Sequence, residues 1–305
     1  MASRKDSVKS QKMVWKIFDD LKLVKSVVGG ELSIIRGKIL VLIFFIARMM
    51  CRILFVLKIV KTCEFTYKLI ISDILVRNED GIFLCRKKTV DILYTSPHFE
   101  RQLKNHFELK EGVFIDVGAH IGRYTIMVAK KLRNDIVIAL EPEPENFQAL
   151  KKNVSLNGLK NVILLNLAAS NKDEKVVLYK LRGPHTDWHS MTNPKSYYES
   201  IVVPARRLDD IITRFKLSSV DLIKIDVEGA ELLVLQGLES RLKDVKKIIY
   251  ESPVEKDECK EFLEKHGFKI VQIVNLGDRA YKIAENQSLA SKCNLIHKYY
   301  DGFKT

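Results

Sequence analysis

The sequence predicts an α/β fold, a mostly parallel sheet with helices on both faces, preceded by a helical N-terminal arm. Three observations lead there. From about Thr66 short apolar runs alternate with segments of helical period, and strands alternating with helices over such a length call for a parallel sheet covered on both sides. Two acid-bearing turns that contain glycine, Asp116 to Gly122 and Asp226 to Glu231, each come directly after an apolar run. Ahead of residue 66 the chain is instead basic and apolar, with a composition of its own.

Taken in order, residues 1–12 are polar and Lys-rich, a composition that does not build a core. Val14 to Val28 carries apolar residues at 14, 17, 18, 21, 24 and 28, a helical spacing that Gly29 and Gly30 end. A further apolar run spans Ile39 to Val60. Leu69–Arg77 and Gly81–Cys85 flank Asn78-Glu79-Asp80-Gly81, a hairpin in which Asp-Gly supplies the turn. The alternation then runs strand Val113–Val117, helix Tyr124–Leu132, strand Ile136–Leu140, helix Pro144–Asn157 and strand Val162–Leu167. It continues with helix Leu208–Phe215, strand Asp221–Ile225, helix Glu231–Leu238 and strand Lys247–Glu251. Helix Glu255–His266 precedes strands Phe268–Val274 and Arg279–Ile283, which the short turn Asn275 to Asp278 should pair antiparallel. With 305 residues there is room for one substantial domain and an appendage. The expected organisation is an arm over 1–65, the α/β domain over 66–285 and a tail over 286–305.

The net charge of +13 is unevenly spread. Residues 1–68 hold 14 Lys and Arg against 5 Asp and Glu, a net of +9, which leaves 37 against 33, a net of +4, for the remainder. A basic arm beside an apolar run points to an anionic membrane surface or a partner-binding arm, and no nucleic-acid partner is expected. Ile39 to Ala47 is uninterrupted, but Arg48, Arg52 and Lys58 punctuate the rest of the run. A bilayer span needs about 20 apolar residues, and each central Arg or Lys costs roughly 2.5–3.5 kcal/mol on insertion scales, so spanning is disfavoured. Two alternatives stay open for residues 34–60: an interfacial helix with Arg48 and Arg52 at headgroup level, or a helix packed on the domain or on a second copy in a homo-oligomer. No secretory signal is expected, because the apolar run begins late and no small-residue cleavage site lies beyond it. Cys51, Cys63, Cys85, Cys259 and Cys293 are scattered, which argues against a disulfide framework and a cysteine zinc site. The histidines do not cluster with them, so no metal is expected. A cytoplasmic location, free or at the inner face of the membrane, fits.

An open α/β sheet holds its ligand at the carboxyl ends of the central strands, where the strand order reverses. Asp116-Val117-Gly118-Ala119-His120-Ile121-Gly122 is the first such end. Gly118 and Gly122 remove β-carbons that would block a ligand. The Gly-x-x-x-Gly spacing is neither the dinucleotide fingerprint nor a phosphate loop ending in Gly-Lys-Ser/Thr. S-adenosylmethionine has no phosphate and needs acceptors for an ammonium and for ribose hydroxyls. Asp116 and Glu141 are the candidate acceptors, Glu141 for both ribose hydroxyls, with Pro142 turning the chain away. His120 belongs to the same loop, and Asn166 to Ser170, including Ala168, would border the adenine. The plainer alternative makes Asp116 a helix cap and Glu141 a surface acid.

Asp226, Glu228 and Glu231 place three carboxylates within six residues, directly after a strand. In an open sheet this turn faces the cofactor's reactive end. Asp226 and Glu228 are candidates for holding an acceptor or taking its proton, with Asp226 also a cofactor contact. Glu231 enters the first turn of a helix, where the dipole favours an acid.

Phe99-Glu100, Val113 to Gly122, Glu141-Pro142 with Asn153, Ala168-Ala169-Ser170, Leu208-Asp209-Asp210, Asp221 to Glu231 and Ile248 to Glu251 together resemble the FkbM-type methyltransferases. Asp-Val-Glu-Gly-Ala-Glu at 226–231 is the most specific of these stretches. The resemblance implies a class I methyltransferase (Rossmann-like) fold, with a mostly parallel seven-stranded sheet whose last strand is reversed. It also implies S-adenosylmethionine as donor and methyl transfer to a hydroxyl oxygen of a sugar, a lipid-linked glycan or a polyketide-type product. His120 stands where the family usually has Asn, and the arm before residue 66 lies outside the resemblance. A hydroxyl acceptor must lose a proton, which calls for a general base. Asp226 is nominated first and Glu228 second, with His189 and Glu251 as alternates. His185, Trp188, His189 and Ser190 sit in a segment from Gly183 to Tyr198, either a substrate-facing lid or an ordinary polar connection. Two rivals are an RNA methyltransferase and a non-catalytic membrane-associated protein that keeps the fold. The charge excess outside the domain and the lack of an Asn/Asp-Pro-Pro-Tyr turn at Asp226 weigh against the first, and the intact acids against the second.

Overall fold

The computed structural model describes residues 27–28, 31–56, 64–96, 99–132, 135–180, 189–191, 197, 199–253, 257–276 and 279–289. They fall into two compact units, one of the described residues up to Arg101 together with Ser155–Asn157, the other of the remaining described residues from Gln102 onward.

The first unit contains β1 (Val27–Val28), α1 (Glu31–Val56), a 3-10 turn (Glu64–Leu69), β2 (Ile74–Arg77), β3 (Ile82–Cys85) and α2 (Asp91–Tyr94). The three strands form one antiparallel sheet in the order β1-β2-β3. The expected hairpin is present, but its turn is closed by Asn78, whose Oδ1 accepts from the backbone N–H of Asp80 (2.9 Å) and Gly81 (3.1 Å), an Asx turn. The helix expected over Val14–Val28 is corrected at its end. Val27 and Val28 pair with Val76 and Leu75, because two β-branched residues beside a hairpin edge gain a ladder that a helix end before Gly29-Gly30 does not offer. The remainder of that run lies outside the described residues. α1 starts earlier than the apolar run suggested and buries Val41, Phe44, Phe45 and Cys51. The cysteine expectation also needs correction: Cys51 is disulfide-bonded, with a partner outside the described residues, while Cys85 and Cys259 are free and buried. Among the described residues no helix is long and apolar enough to cross a membrane.

Beyond Gln102 the chain forms β4 (Phe114–Val117), α3 (Arg123–Ala129), β5 (Val137–Leu140), α4 (Pro144–Leu156), β6 (Val162–Leu165), β7 (Ala168–Ala169), β8 (Glu174–Lys180), β9 (His189–Ser190) and β10 (Glu199–Arg206). It continues with α5 (Leu208–Arg214), β11 (Val220–Ile225), α6 (Glu231–Gln236), β12 (Val245–Pro253), α7 (Glu258–Lys265), β13 (Phe268–Asn275) and β14 (Arg279–Asn286). Seven strands make one sheet in the order β13-β14-β12-β11-β4-β5-β6. Every neighbouring pair is parallel except those of β14, which runs antiparallel to both β12 and β13. This is the expected sheet with its final strand reversed. β7, β10, β8 and β9 form a separate four-stranded sheet that the alternation of strand and helix did not announce.

Side chains of a strand alternate between faces, and here the alternation builds two cores. Ile115, Val117, Ile223, Ile225, Ile248 and Tyr250 pack with α5, α6 and α7 on one face. Phe114, Leu222, Ile249 and Ile283 pack with Tyr124, Met127 and Val128 of α3 on the other. β4 and β5 are buried at every residue, as parallel strands covered on both faces must be. From β4 the chain proceeds outward through β5 and β6, then returns to β11 on the opposite side of β4. That reversal opens the crevice at the carboxyl ends of β4 and β11.

Candidate active site

The turn after β4 is held in a conformation that suits few residues. Gly118 (φ 78°), His120 (φ 51°) and Gly122 (φ 91°) all have left-handed backbone. A β-carbon on Gly118 would run into the backbone carbonyl of Asp226, so glycine there lets the ends of β4 and β11 meet. At His120 the same geometry explains the residue: Asn, Asp and His are the non-glycine types enriched at positive φ, so His suits this backbone. The His120 N–H donates to Glu141 Oε2 at 2.8 Å, and Glu141 Oε1 accepts from the Glu143 N–H at 3.0 Å. Glu141 is buried, and burial pushes its carboxyl up to about 7 against these backbone donors. The Asn146 side chain is a further donor, and a carboxylate with about four lone-pair sites keeps acceptor capacity for a ligand beyond these.

Asp116 is 1% exposed. Its Oδ2 accepts from Thr125 Oγ1 at 2.6 Å, while Oδ1 is buried with no hydrogen bond. Burial raises its pKa, and the opposing pull of Lys224 and Thr125 does not cancel that rise.

Lys224 is the hub of the site. In the parallel pairing of β11 with β4 it stands beside Asp116, on the face covered by α3. Its ammonium lies 3.6 Å from Asp116 Oδ1 and 3.2 Å from Asp226 Oδ2, donates to the Gly118 carbonyl at 3.1 Å, and sits 5.5 Å from the centre of the Tyr124 ring. One buried cation thus ties the carboxylate at the end of β4 to the one just past β11.

Asp226 is partly exposed. Its Oδ2 accepts from the Tyr281 hydroxyl at 2.8 Å, and Glu251 hydrogen-bonds to the same carboxylate. Burial alone would raise its pKa, but Lys224, then Tyr281 and Glu251, outweigh it and hold Asp226 below the ordinary value, hence ionised. Glu251 moves the opposite way: burial, then the neighbouring Asp226 charge, push it up to about 9, although Arg279 pulls it down. The pair therefore shares one proton at neutral pH, carried by Glu251. Arg279 Nη1 donates to Glu228 Oε1 at 3.0 Å and to Glu251 Oε1 at 3.1 Å. Carboxylate oxygens of Asp226, Glu228 and Glu251 lie within 4.8 Å of one another, a spacing that suits a cation, and the Arg279 guanidinium already supplies one there. Glu231 holds the turn that leads into α6, its carboxylate accepting from the N–H groups of Val227 and Gly229.

The remaining expected site residues are placed differently. Asn166 is exposed and its amide donates to the carbonyls of Glu141 (2.8 Å) and Pro142 (3.1 Å), fixing the turn that carries Glu141. Ala168 pairs with Ala205 and packs in the core of the small sheet with Leu178 and Val203. His189 lies in β9, its backbone paired with Lys180. Its side chain, with His185, Trp188 and most of the Gly183–Tyr198 segment, lies outside the described residues. Lys224, Tyr281 and Arg279 were not anticipated. Lys224 had a signal, a lone cation inside the apolar strand Asp221–Ile225. Tyr281 and Arg279 had none, because only the register of β14 on β12, Tyr281 beside Glu251, brings them in.

A family model, the methyltransferase FkbM domain, matches residues 116–280, more than half of the chain. The chain belongs to the FkbM methyltransferase family. Its match takes in Asp116, Glu141, Lys224, Asp226, Glu228, Glu251 and Arg279, the residues that meet around the FkbM-domain crevice. Among curated relatives, Methyltransferase 1 of Beauveria bassiana is 25% identical over 52% of this chain and 73% of its own length. The 31-O-demethyl-FK506 methyltransferase FkbM of Streptomyces tacrolimicus is 27% identical over 55% of this chain and 77% of its own. The hexuronic acid methyltransferase AglP of Haloferax volcanii is 28% identical over 47% of this chain and 56% of its own.

Proposed function

We propose that this FkbM-family protein transfers a methyl group from S-adenosylmethionine to a hydroxyl oxygen of a sugar, glycan or natural-product acceptor. The observation that carries the reading is the pair of carboxylates on Lys224: Asp116, buried with an oxygen that lacks a hydrogen bond, and Asp226, held ionised and partly exposed. The donor set fits the cofactor. Asp116 Oδ1 is a buried acceptor without a hydrogen bond, 3.6 Å from the Lys224 ammonium, and Glu141 keeps acceptor capacity beyond its backbone donors; the glycines serve the fold instead, since a β-carbon on Gly122 would meet Leu150 as one on Gly118 would meet Asp226. When bound, S-adenosylmethionine supplies a methyl group already activated on a sulfonium.

The chain's own task is then to orient the acceptor and take its proton. Asp226 suits the second part, since Lys224, Tyr281 and Glu251 keep it deprotonated at neutral pH. Glu251, protonated below about 9, is the poorer base and serves as the donor that orients Asp226. Glu228 is engaged by Arg279 and suits acceptor binding more than proton transfer. The acceptor class draws on the named relatives, one a hexuronic acid methyltransferase and one a 31-O-demethyl-FK506 methyltransferase. The test is mass spectrometry of glycans, lipids and small products from host cells with and without the gene. The expected result is one species that loses a single methyl group when the gene is deleted and regains it on complementation with the wild type but not with Asp226→Asn. An unchanged product profile across all three classes would contradict the assignment.

A further inference from the structure

α1 exposes a continuous apolar stripe to solvent. Ile35, Ile39, Leu42, Ile43, Ile46 and Met50 are each between 39% and 57% exposed. At 3.6 residues per turn these six side chains fall within an arc of about 100°. The opposite side of the helix is occupied: Val41, Phe44, Phe45 and Cys51 are buried. The stripe is therefore surplus to the helix's own packing, and a run of this extent on a surface marks a contact site.

Charge decides what the contact is. Arg36 borders one edge of the stripe and Lys38 the other, so cations flank the apolar face. Glu31 is the sole acid in α1, against Arg36, Lys38, Arg48 and Arg52, and residues 1–68 as a whole carry a net of +9. A second copy docking on the same face would bring these like charges together, whereas an anionic surface would neutralise them. The helix is not apolar enough to span a bilayer. Arg48 has a different place from the one its spacing suggested: it is half-buried, its guanidinium 5.9 Å from the Phe44 ring on the packed side, so Arg36 and Lys38 are the cations beside the stripe.

We propose that α1 lies in the headgroup region of an anionic lipid bilayer, with the Ile35–Met50 stripe among the acyl chains and Arg36 and Lys38 at the lipid phosphates. This is the physics of interfacial helices, where apolar burial and attraction to anionic lipid act together. It does not depend on the catalytic reading.

The test uses the full chain in flotation with vesicles of phosphatidylcholine and phosphatidylglycerol (two to one), and with vesicles of phosphatidylcholine alone. The expected result is flotation with the mixed vesicles, weakened by high salt, and at least tenfold weaker partitioning to the neutral ones. Arg36→Gln with Lys38→Gln should lower partitioning to anionic vesicles roughly 25-fold, at about fivefold per cation. Ile43→Ser should lower it about tenfold on both kinds of vesicle. Because Ile43 is 45% exposed, its variant should melt as the wild type does, and that melt separates lost contact from lost folding. Failure of the wild type to float, or flotation unaffected by these variants, overturns the proposal. A concentration-dependent dimer abolished by Ile43→Ser, with no vesicle binding, would assign the stripe to a second copy instead.

Discussion

Replacing Lys224 with Met keeps the length of the side chain and removes the charge that serves two carboxylates. The Lys224 side chain is 4% exposed, that of Asp116 1% and that of Asp226 23%. Breaking a buried ion pair by removing one partner costs about 3–5 kcal/mol, because the other charge is left uncompensated. Asp226 keeps Tyr281 and Glu251 and has some access to water, so most of the cost falls on Asp116 and the total should lie at the low end, about 3 kcal/mol. For a chain of this size that corresponds to a fall in Tm of roughly 6–12 °C. The pH dependence gives a sharper test. Asp226, depressed in the folded state, contributes stability above its unfolded value of 3.8 that is lost as pH falls through its folded value. Lys224→Met removes that contribution and pushes Asp116 higher still. Both carboxyls are neutral in acid and then need no cation, so the gap between variant and wild type should narrow as pH falls. Urea denaturation across the acidic to neutral range measures it. A variant as stable as the wild type at neutral pH, or a deficit that stays constant into acid, would refute the role given to Lys224.

The same geometry sets four further expectations. Asp226→Asn should retain cofactor binding while turnover falls about 10²–10⁴-fold, the usual contribution of a general base, and single-turnover assays with labelled donor would show it. Glu141 is pushed up to about 7 and ribose hydroxyls favour its ionised form, so cofactor affinity should rise as pH passes upward through 7; Glu141→Gln should bind weakly and without that dependence. Glu251 holds a proton in the folded state up to about 9 that the unfolded chain releases above 4.5. Stability should therefore fall as pH rises across that window, and Glu251→Gln should flatten the fall in pH-resolved melting curves. Gly118→Ala forces a side chain into φ 78° and against the Asp226 carbonyl, which should cost at least about 2 kcal/mol in urea unfolding.

The sheet was legible because its strands are short apolar runs buried on both faces, and β4 and β5 admit no polar side chain except Asp116 at the ligand end. The acids at strand ends were legible for a related reason, since a carboxylate directly after such a run has to face the crevice. What could not be read was pairing. Tyr281 and Arg279 join the site only through the antiparallel register of β14 on β12, and no local pattern encodes that register. β8 and β10 were missed because they belong to a second sheet with one solvated face, where Val177 and Val202 pair in the open. Ala168 was assigned to the adenine border from its place after β6, but a two-residue pairing with β10 draws it into that small sheet. His120 was singled out as a departure in side chain, yet the structure makes its backbone φ the constraint.

The most direct measurement of the central claim is calorimetric titration of S-adenosylmethionine into the wild type and into Asp116→Ala. Loss of a charged hydrogen-bond acceptor from the site should weaken affinity about 10–100-fold, so the expected result is one-site binding to the wild type and little or no heat with the variant. No heat with the folded wild type, or equal affinity for the two proteins, would contradict a methyl-donor site built on Asp116.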